Sequence, residues 1–379
     1  MTDDRIRVAI VGLGTIARAV YLPILSRRND RFEVVGVCDL SPAAVDAVGD
    51  RFGIPRKRRF SNLSEMLTVV SADALAVLTS GSHTPAVLAG LDAGLAVLCE
   101  KPLAVTQREA DLLAAATAGR TDRLMLAYMK LYDPAVLRAV DLVAQRPAVR
   151  AVEVTVLHPS GDSQLATSEL GLGRFGVDPQ QVRELRAAAH ALEHEALGEA
   201  AGSLGPVYSN VLLGSIVHEL AVLRAIGAQV DTVEHADRWP QHVVPASVSF
   251  AGRVDGDARV TVGWHYLHDY PTYREQIRRH DERGSIELEF PSPYLLRAPT
   301  VLREVVPDGA GAADRRFESR VESFEEQLLA FHRMVTDGTA PAAGVADGRA
   351  DIVTCQRIAA RLAEREGLQL GGEAAAIDT

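Results

Sequence analysis

The segment Arg7-Val8-Ala9-Ile10-Val11-Gly12-Leu13-Gly14-Thr15-Ile16-Ala17 constrains the fold of this chain more than any other stretch. A nearly continuous apolar run ends in two glycines one residue apart, and helical periodicity follows to about Arg28. A run that is apolar throughout suits a strand covered on both faces. Gly12 permits a tight turn, Gly14 lets the backbone approach a ligand, and Ala17 lets the helix pack close to the sheet. Pro23, inside the helical stretch, is expected to distort it. The βα rhythm then repeats. Phe32–Val37, Ala74–Leu78, Leu95–Cys99 and Leu124–Tyr128 read as strands with helices between them, one of them Asn62–Val70 with Asn62 as its cap. Repeated βα units imply a parallel, doubly wound sheet with right-handed crossovers.

A GxGxxA turn between strand and helix is a phosphate cradle, because the helix N-terminus offers unpaired N–H groups and partial positive charge. Asp39 ends the second strand, where a carboxylate accepts hydrogen bonds from both ribose hydroxyls of a dinucleotide. That carboxylate would repel a 2′-phosphate, so NAD is favoured. The nearby basic run Arg56-Lys57-Arg58-Arg59, read as a solvated loop leading into a short strand, keeps NADP possible.

After Pro134 the rhythm changes. Ala151–Leu157 alternates in period two, and strands follow at about Val243–Val254, Ala258–Leu267 and Gly284–Phe290. Succession of this kind suggests antiparallel pairing. Helices are expected at about Pro179–Ala201, Ser209–Ile226, Val321–Thr336 and Ala346–Glu366. Pro291-Ser292-Pro293 and Asp308–Ala313 read as loops, 161–204 as an insertion, and 371–379 as a frayed tail. The fold class expected is α/β: a doubly wound parallel domain over 1–130, then an α+β domain over 131–379 with a largely antiparallel open sheet.

Composition narrows the partners. A net charge of −10 argues against nucleic acid. No stretch approaches the ~20 uninterrupted apolar residues of a membrane span. The acidic start MTDDR has no apolar signal segment, and Cys38, Cys99 and Cys355 match no metal-ligand spacing, so a reducing cytoplasm is expected. His190 and His194 lie i, i+4 beside Glu193 and Glu195, but they lack the HExxH order and a third ligand; no metal is expected.

Glu100-Lys101-Pro102 follows a strand that ends near Cys99, which delivers Lys101 to the carboxyl edge where open sheets bind ligands. There a lysine can donate to a hydroxyl or carbonyl and stabilise developing alkoxide charge. Together, the glycine turn, Asp39 and Glu100-Lys101-Pro102 resemble the glucose–fructose oxidoreductase / inositol dehydrogenase / MocA family of NAD(P)-dependent enzymes. The resemblance continues through Thr79–His83, where relatives line the nicotinamide, and through Tyr128-Met129-Lys130-Leu131-Tyr132-Asp133-Pro134. It implies a Rossmann first domain with Lys101 catalytic. Cofactor contacts are expected from Gly12, Gly14, Thr15, Ile16, Ala17, Asp39, Thr79, Ser80, His83, Glu100 and Lys101.

In that family a helix of the second domain carries an Asp and a His four residues apart. Here His218 fits the histidine and is expected as general acid or base, but the Asp position is Gly214. On an α-helix Ser215 and Glu219 are rotated away from the required face. Substrate contacts are therefore sought at Lys130, His158, Gly214, Trp264 and His265, with Tyr266 beside them. The implied activity is hydride transfer between a nicotinamide and a secondary alcohol or ketone of a sugar, cyclitol or similar polyol, in a homodimer or homotetramer. A redox-neutral enzyme with retained NAD and a nucleotide-binding regulator are the alternatives.

Overall fold

The structure, a computed structural model, describes residues 5–120, 122–167, 173, 175–241 and 243–377. The chain divides into two compact units. One comprises Met1–Tyr128, Gly171–Leu192 and Phe324–Arg349, the other Met129–Leu170, Glu193–Ser323 and Ala350–Thr379. The first break falls where the βα rhythm stops, but two later segments return to the first unit, and sequence periodicity carries no mark of that return.

The first unit holds six parallel strands: β1 (Ile6–Val11), β2 (Phe32–Cys38), β3 (Arg59–Phe60), β4 (Ala74–Val77), β5 (Ala96–Cys99) and β6 (Leu124–Leu126). Their order is β3-β2-β1-β4-β5-β6, the two-winged order of a dinucleotide-binding sheet. β1, β4 and β5 are almost wholly buried, as continuous apolar runs require. Helix starts follow local chemistry: Ser41 and Pro42 open one helix, and the Asn62 side chain accepts the Glu65 N–H at 3.0 Å to open the next. Pro23 distorts the first helix as expected. Residues Ala17–Tyr21 form a π-helical turn, and the α-helix Leu22–Arg27 begins beside the proline, which has no N–H to give. The returning helix Ser323–Asp337 docks by Phe324 edge-on to Tyr21, His332 edge-on to Phe32, and Glu325 paired with Arg27 and Arg28.

The second unit is built on eight strands: β7 (Ala151–His158), β8 (Val230–Trp239), β9 (Ser247–Val254), β10 (Ala258–Tyr266), β11 (Arg274–Asp281), β12 (Gly284–Phe290), β13 (Val301–Asp308) and β14 (Gly311–Glu318). The order is β14-β13-β12-β11-β7-β10-β9-β8. β7 and β10 run parallel, and the other neighbours are antiparallel. Val152, Val154 and Val156 share the buried face of β7, while Glu153 and Thr155 face outward.

Several expectations need correction. β8, β11, β13 and β14 are rich in charge, and charge on the buried face, Arg238 in β8 and Glu275 and Arg279 in β11, breaks the apolar alternation; β14, at the sheet edge, is exposed along most of its length. The loop expected at Asp308–Ala313 is the tip of a hairpin, with Asp308 paired to Gly311. β9 starts at Ser247 rather than Val243, because Pro245 cannot donate to a ladder. The tail is not frayed over its described part: Gly371 N–H donates to Leu197 O at 3.0 Å, the Gln356 side chain donates to Glu373, and Ala374 is buried. Within the 161–204 insertion the structure places helices Gly161–Thr167 and Pro179–Leu197; residues 168–172 and 174 lie outside the described residues. The continuous helical run Pro179–Ala225 is long and apolar enough, by length and composition, to cross a membrane, yet 72% of its apolar window is buried within the protein, as in a core helix.

Candidate functional site

In the first unit β1, β4 and β5 lie side by side, and their carboxyl ends form one edge. Gly12 leaves β1 with φ +92°, and a Cβ there would lie 2.5 Å from the backbone of Leu78 and Thr79. Conformation and the neighbouring strand end both demand glycine. Gly14 is different. A Cβ on it would meet nothing within 4 Å, so the protein's own packing leaves that space open. Thr15 and Ile16 start the helix half-buried, Ala17 is buried, and Arg18 N–H closes the first turn on Gly14 O at 3.2 Å. The N–H groups ahead of that bond have no acceptor within the helix, which suits a phosphate.

Asp39 stands one residue past β2. Its Oδ2 accepts the Leu13 N–H at 2.7 Å and its Oδ1 accepts the Ser41 N–H at 2.8 Å. The carboxylate thereby ties the glycine turn to the helix Pro42–Arg51. Each oxygen keeps a second lone pair for a ribose hydroxyl. Beside this pair, Arg18 donates to Gly173 O at 2.8 Å and lies over the Phe175 ring, and Ser41 Oγ donates to Gly176 O at 2.7 Å. Gly173, Phe175 and Gly176 of the insertion therefore rest on residues that flank the cradle. The basic run is largely spent: Arg58 pairs with Glu33, and Arg59 with Asp46 and Asp50.

The charges at the end of β5 divide their work. Glu100 is buried. Its Oε1 accepts the Tyr21 hydroxyl at 2.8 Å, its Oε2 accepts the Lys101 N–H at 3.0 Å, and the Gln327 side chain donates to Tyr21 Oη at 3.0 Å. Burial, then the Glu100 charge, push the Tyr21 phenol well above its ordinary range, so it remains a donor. Glu100 is thus an internal strut that orients the chain at Lys101, which is half-buried and joined to Pro102 by a cis peptide. His83 is a second brace. It is buried, with Nδ1 2.7 Å from Pro102 O and Nε2 2.8 Å from Thr79 O, so its ring joins the loops after β4 and β5. The contacts seen for Glu100 and His83 are to protein; Thr79 and Ser80 stand nearer the surface, and the buried Thr79 Oγ1 has no hydrogen-bond partner among the described residues. Glu109 completes the bracing, accepting the Ser82 hydroxyl and the Val105 N–H. The Thr106-x-x-Glu109 capping pattern was its sequence signal.

The open space at Gly14, the orphaned Thr79 hydroxyl and the carboxylate at Asp39 fit a dinucleotide. Among the described residues no group of three His, Cys, Asp or Glu could hold a metal, and His190 and His194 are exposed.

The second unit gathers another set. His218 is half-buried in the first turn of the helix Val217–Ala225. The residues before it, Tyr208–Ile216, are π-helical rather than α-helical, so the i, i+4 registration assumed between Gly214 and His218 does not hold. Ser215 is the residue this geometry turns toward the sheet, where its Oγ accepts the Trp264 Nε1–H at 2.9 Å. A Cβ on Gly214 would approach only Ser209, 3.2 Å from its carbonyl oxygen. Trp264 is buried, and the His158 ring tilts against it at 4.9 Å and meets Tyr273 edge-on at 5.6 Å. Tyr266 stacks parallel to Trp264. His265 lies one residue on, hence on the opposite face of β10, beside Trp239. It does not join the others. Lys130 is buried, with Nζ 2.5 Å from Glu275 and 3.2 Å from Glu219. Glu275 and Tyr273 escaped the sequence, and Glu219 was set aside there as turned off the required face, because nothing local marks partners 89 and 145 residues from Lys130.

Comparison with known proteins agrees with this architecture. The profile described as "Oxidoreductase family, NAD-binding Rossmann fold" matches residues 6–128. The D-glucoside 3-dehydrogenase of Escherichia coli is 34% identical over 29% of this chain and 31% of its own length. The inositol 2-dehydrogenase of Salmonella typhimurium is 26% identical over 36% and 41%. The matched region thus spans about a third of those relatives. Solved structures share the fold throughout. Aldose-aldose oxidoreductase from Caulobacter crescentus superposes with TM-score 0.69 at 21% identity over 97% of this chain and 99% of its own. A 3-ketoreductase from Actinomadura kijaniata, solved with NADP, gives 0.68 at 16% over 94% and 98%.

Proposed function

We infer, from a first unit that carries the NAD-binding Rossmann domain of the glucose–fructose oxidoreductase / inositol dehydrogenase / MocA oxidoreductases, that this chain is an NAD(P)-dependent dehydrogenase or reductase acting on CH–OH groups. The observation that carries the reading is the pairing, at one sheet edge, of an open glycine cradle with a lysine braced by buried Glu100 and His83. The substrate class is a secondary alcohol or ketone of a sugar, cyclitol or similar polyol, as the names of the relatives suggest.

Gly12, Gly14 and the helix start would hold the pyrophosphate, Asp39 the ribose, and Thr79 and Ser80 the nicotinamide end. When bound, the nicotinamide supplies or accepts the hydride. Lys101 donates to the substrate oxygen and stabilises negative charge as it develops there. His218 takes or returns the hydroxyl proton. NAD is favoured over NADP, because Asp39 opposes a 2′-phosphate and Arg58 and Arg59 are already paired. A cytoplasmic setting fits the three buried free thiols. A homodimer or homotetramer fits an eight-stranded sheet whose outward residues, Glu153, Arg274 and Glu289 among them, stay partly exposed.

A panel of sugars, cyclitols and their keto forms, offered with NAD and with NADP, tests the reading by absorbance of the reduced nicotinamide. Turnover with at least one polyol, and a better kcat/KM with NAD, is the expected result. Dinucleotide binding without turnover on any member would count against it.

A further inference from the structure

Lys130, Glu219, Tyr273 and Glu275 form a closed group within the second unit. The side chains of the three charged residues are 8%, 1% and 0% exposed for Lys130, Glu219 and Glu275. With both carboxyls ionised, one ammonium faces two carboxylates, and a net negative charge is left buried. Burial of an uncompensated charge is avoided by holding a proton. The hydrogen bonds say which carboxyl holds it. Glu275 Oε2 accepts both the Lys130 ammonium and the Tyr273 hydroxyl, each at 2.5 Å. Glu219 Oε1 receives only the longer 3.2 Å contact from the same ammonium, whose outer side lies over the Phe290 ring. One oxygen of each carboxyl, Glu219 Oε2 and Glu275 Oε1, has no hydrogen-bond partner among the described residues. A single added proton supplies the missing donor.

We propose that Glu219 is a neutral carboxylic acid whose proton is shared toward Glu275, and that its anchorage to Lys130 fixes the first turn of the helix Val217–Ala225 and thereby makes it the positioning residue for His218 in that same turn. The second clause rests on the reading of His218 as the acid–base group; the first does not. Burial and the Glu275 charge, opposed by Lys130, push Glu219 up to about 8. The groups around it are Lys130 from the turn Met129–Tyr132, Glu275 and Tyr273 from and before β11, and Cys355 from the helix Val345–Glu366, with His218 on its own helix. The phenol and the thiol are both raised by burial and stay protonated. Folded Glu219 keeps its proton to about pH 8, whereas the ordinary value is 4.5. Its stabilising contribution is therefore complete below 4.5 and is lost as pH rises through 8.

The test uses the full chain with Glu219→Gln, Glu219→Ala and Glu275→Gln. Infrared difference spectra at neutral pH are expected to show a protonated-carboxyl band in the wild type that Glu219→Gln lacks. Glu275→Gln lacks it too, because Glu219 then ionises to pair with Lys130. The melting temperature of the wild type should fall from pH 5 to 8 more steeply than that of Glu219→Gln. In turnover, Glu219→Ala should lower kcat about tenfold or more with little change in KM, and Glu219→Gln should restore most of it and flatten the alkaline limb. A band that survives in Glu219→Gln, or parallel melting profiles, overturns the shared proton. An alkaline limb that Glu219→Gln leaves in place overturns the positioning role. Absence of hydride transfer in the wild type would instead sink the functional reading, while the spectra and melts still decide where the proton is.

Discussion

Two glycines separated by one residue carry opposite burdens. Gly12 is fixed by the protein: its φ of +92° and the backbone 2.5 Å from a would-be Cβ make Gly12→Ala costly, by about 1–3 kcal/mol. Gly14 is not fixed by packing, since a Cβ there meets nothing, and the proposed cofactor is what would require it. Thermal melts and NAD titrations should separate them. Gly12→Ala lowers the melting temperature; Gly14→Val leaves it nearly unchanged and weakens NAD binding about tenfold or more, a loss of about 1.4 kcal/mol. Equal melting losses in both would contradict the assignment. The placement of these glycines, Asp39 and Lys101 at strand ends was legible in the sequence, because it follows from chain order alone. Glu100 was visible but its work was not. Its partners are Tyr21 and, behind it, Gln327, which stands 306 residues from Tyr21, and no spacing rule reaches so far.

Among elements, strands with unbroken apolar runs or a clean apolar alternation were readable, and those with charge on the buried face or exposed on both faces were not. The parallel strands could be read because burial on both sides removes polar residues from them. β8 and β11 turn Arg238, Glu275 and Arg279 onto their buried face, and β14 is exposed on both faces, so the apolar alternation is broken. The π-helical run Tyr208–Ile216 was hidden for another reason: helix type alters the phase of side chains without altering composition. It turns Ser215, not Gly214, onto Trp264. Trp264→Phe should therefore strand the buried Ser215 hydroxyl and cost about 1–3 kcal/mol in denaturant unfolding. No measurable loss would show that this bond does not fix the helix. Truncation after Leu370 should also destabilise, because Gly371 and Glu373 bond back to Leu197 and Gln356. A truncated chain that melts with the full-length protein would restore the view of the tail as frayed.

For the whole molecule, the division into a doubly wound unit and a largely antiparallel unit was legible, since it is a change of rhythm at one place in the chain. The return of Phe324–Arg349 to the first unit was not, because a helix that packs against Tyr21 and Phe32 looks, in sequence, like any amphipathic helix. The assembled state expected is two or four chains. Light scattering checks it, and a single-chain mass at assay concentration would refute it. Above all, the molecule is read as a scaffold that sets one lysine beside a nicotinamide. The most direct measurement is turnover of Lys101→Ala at saturating cofactor, with NADH affinity measured on the same preparation by fluorescence. Affinity within about threefold of wild type, with kcat down by about a hundredfold or more, is the result expected. Undiminished kcat in a variant that still binds NADH would contradict it.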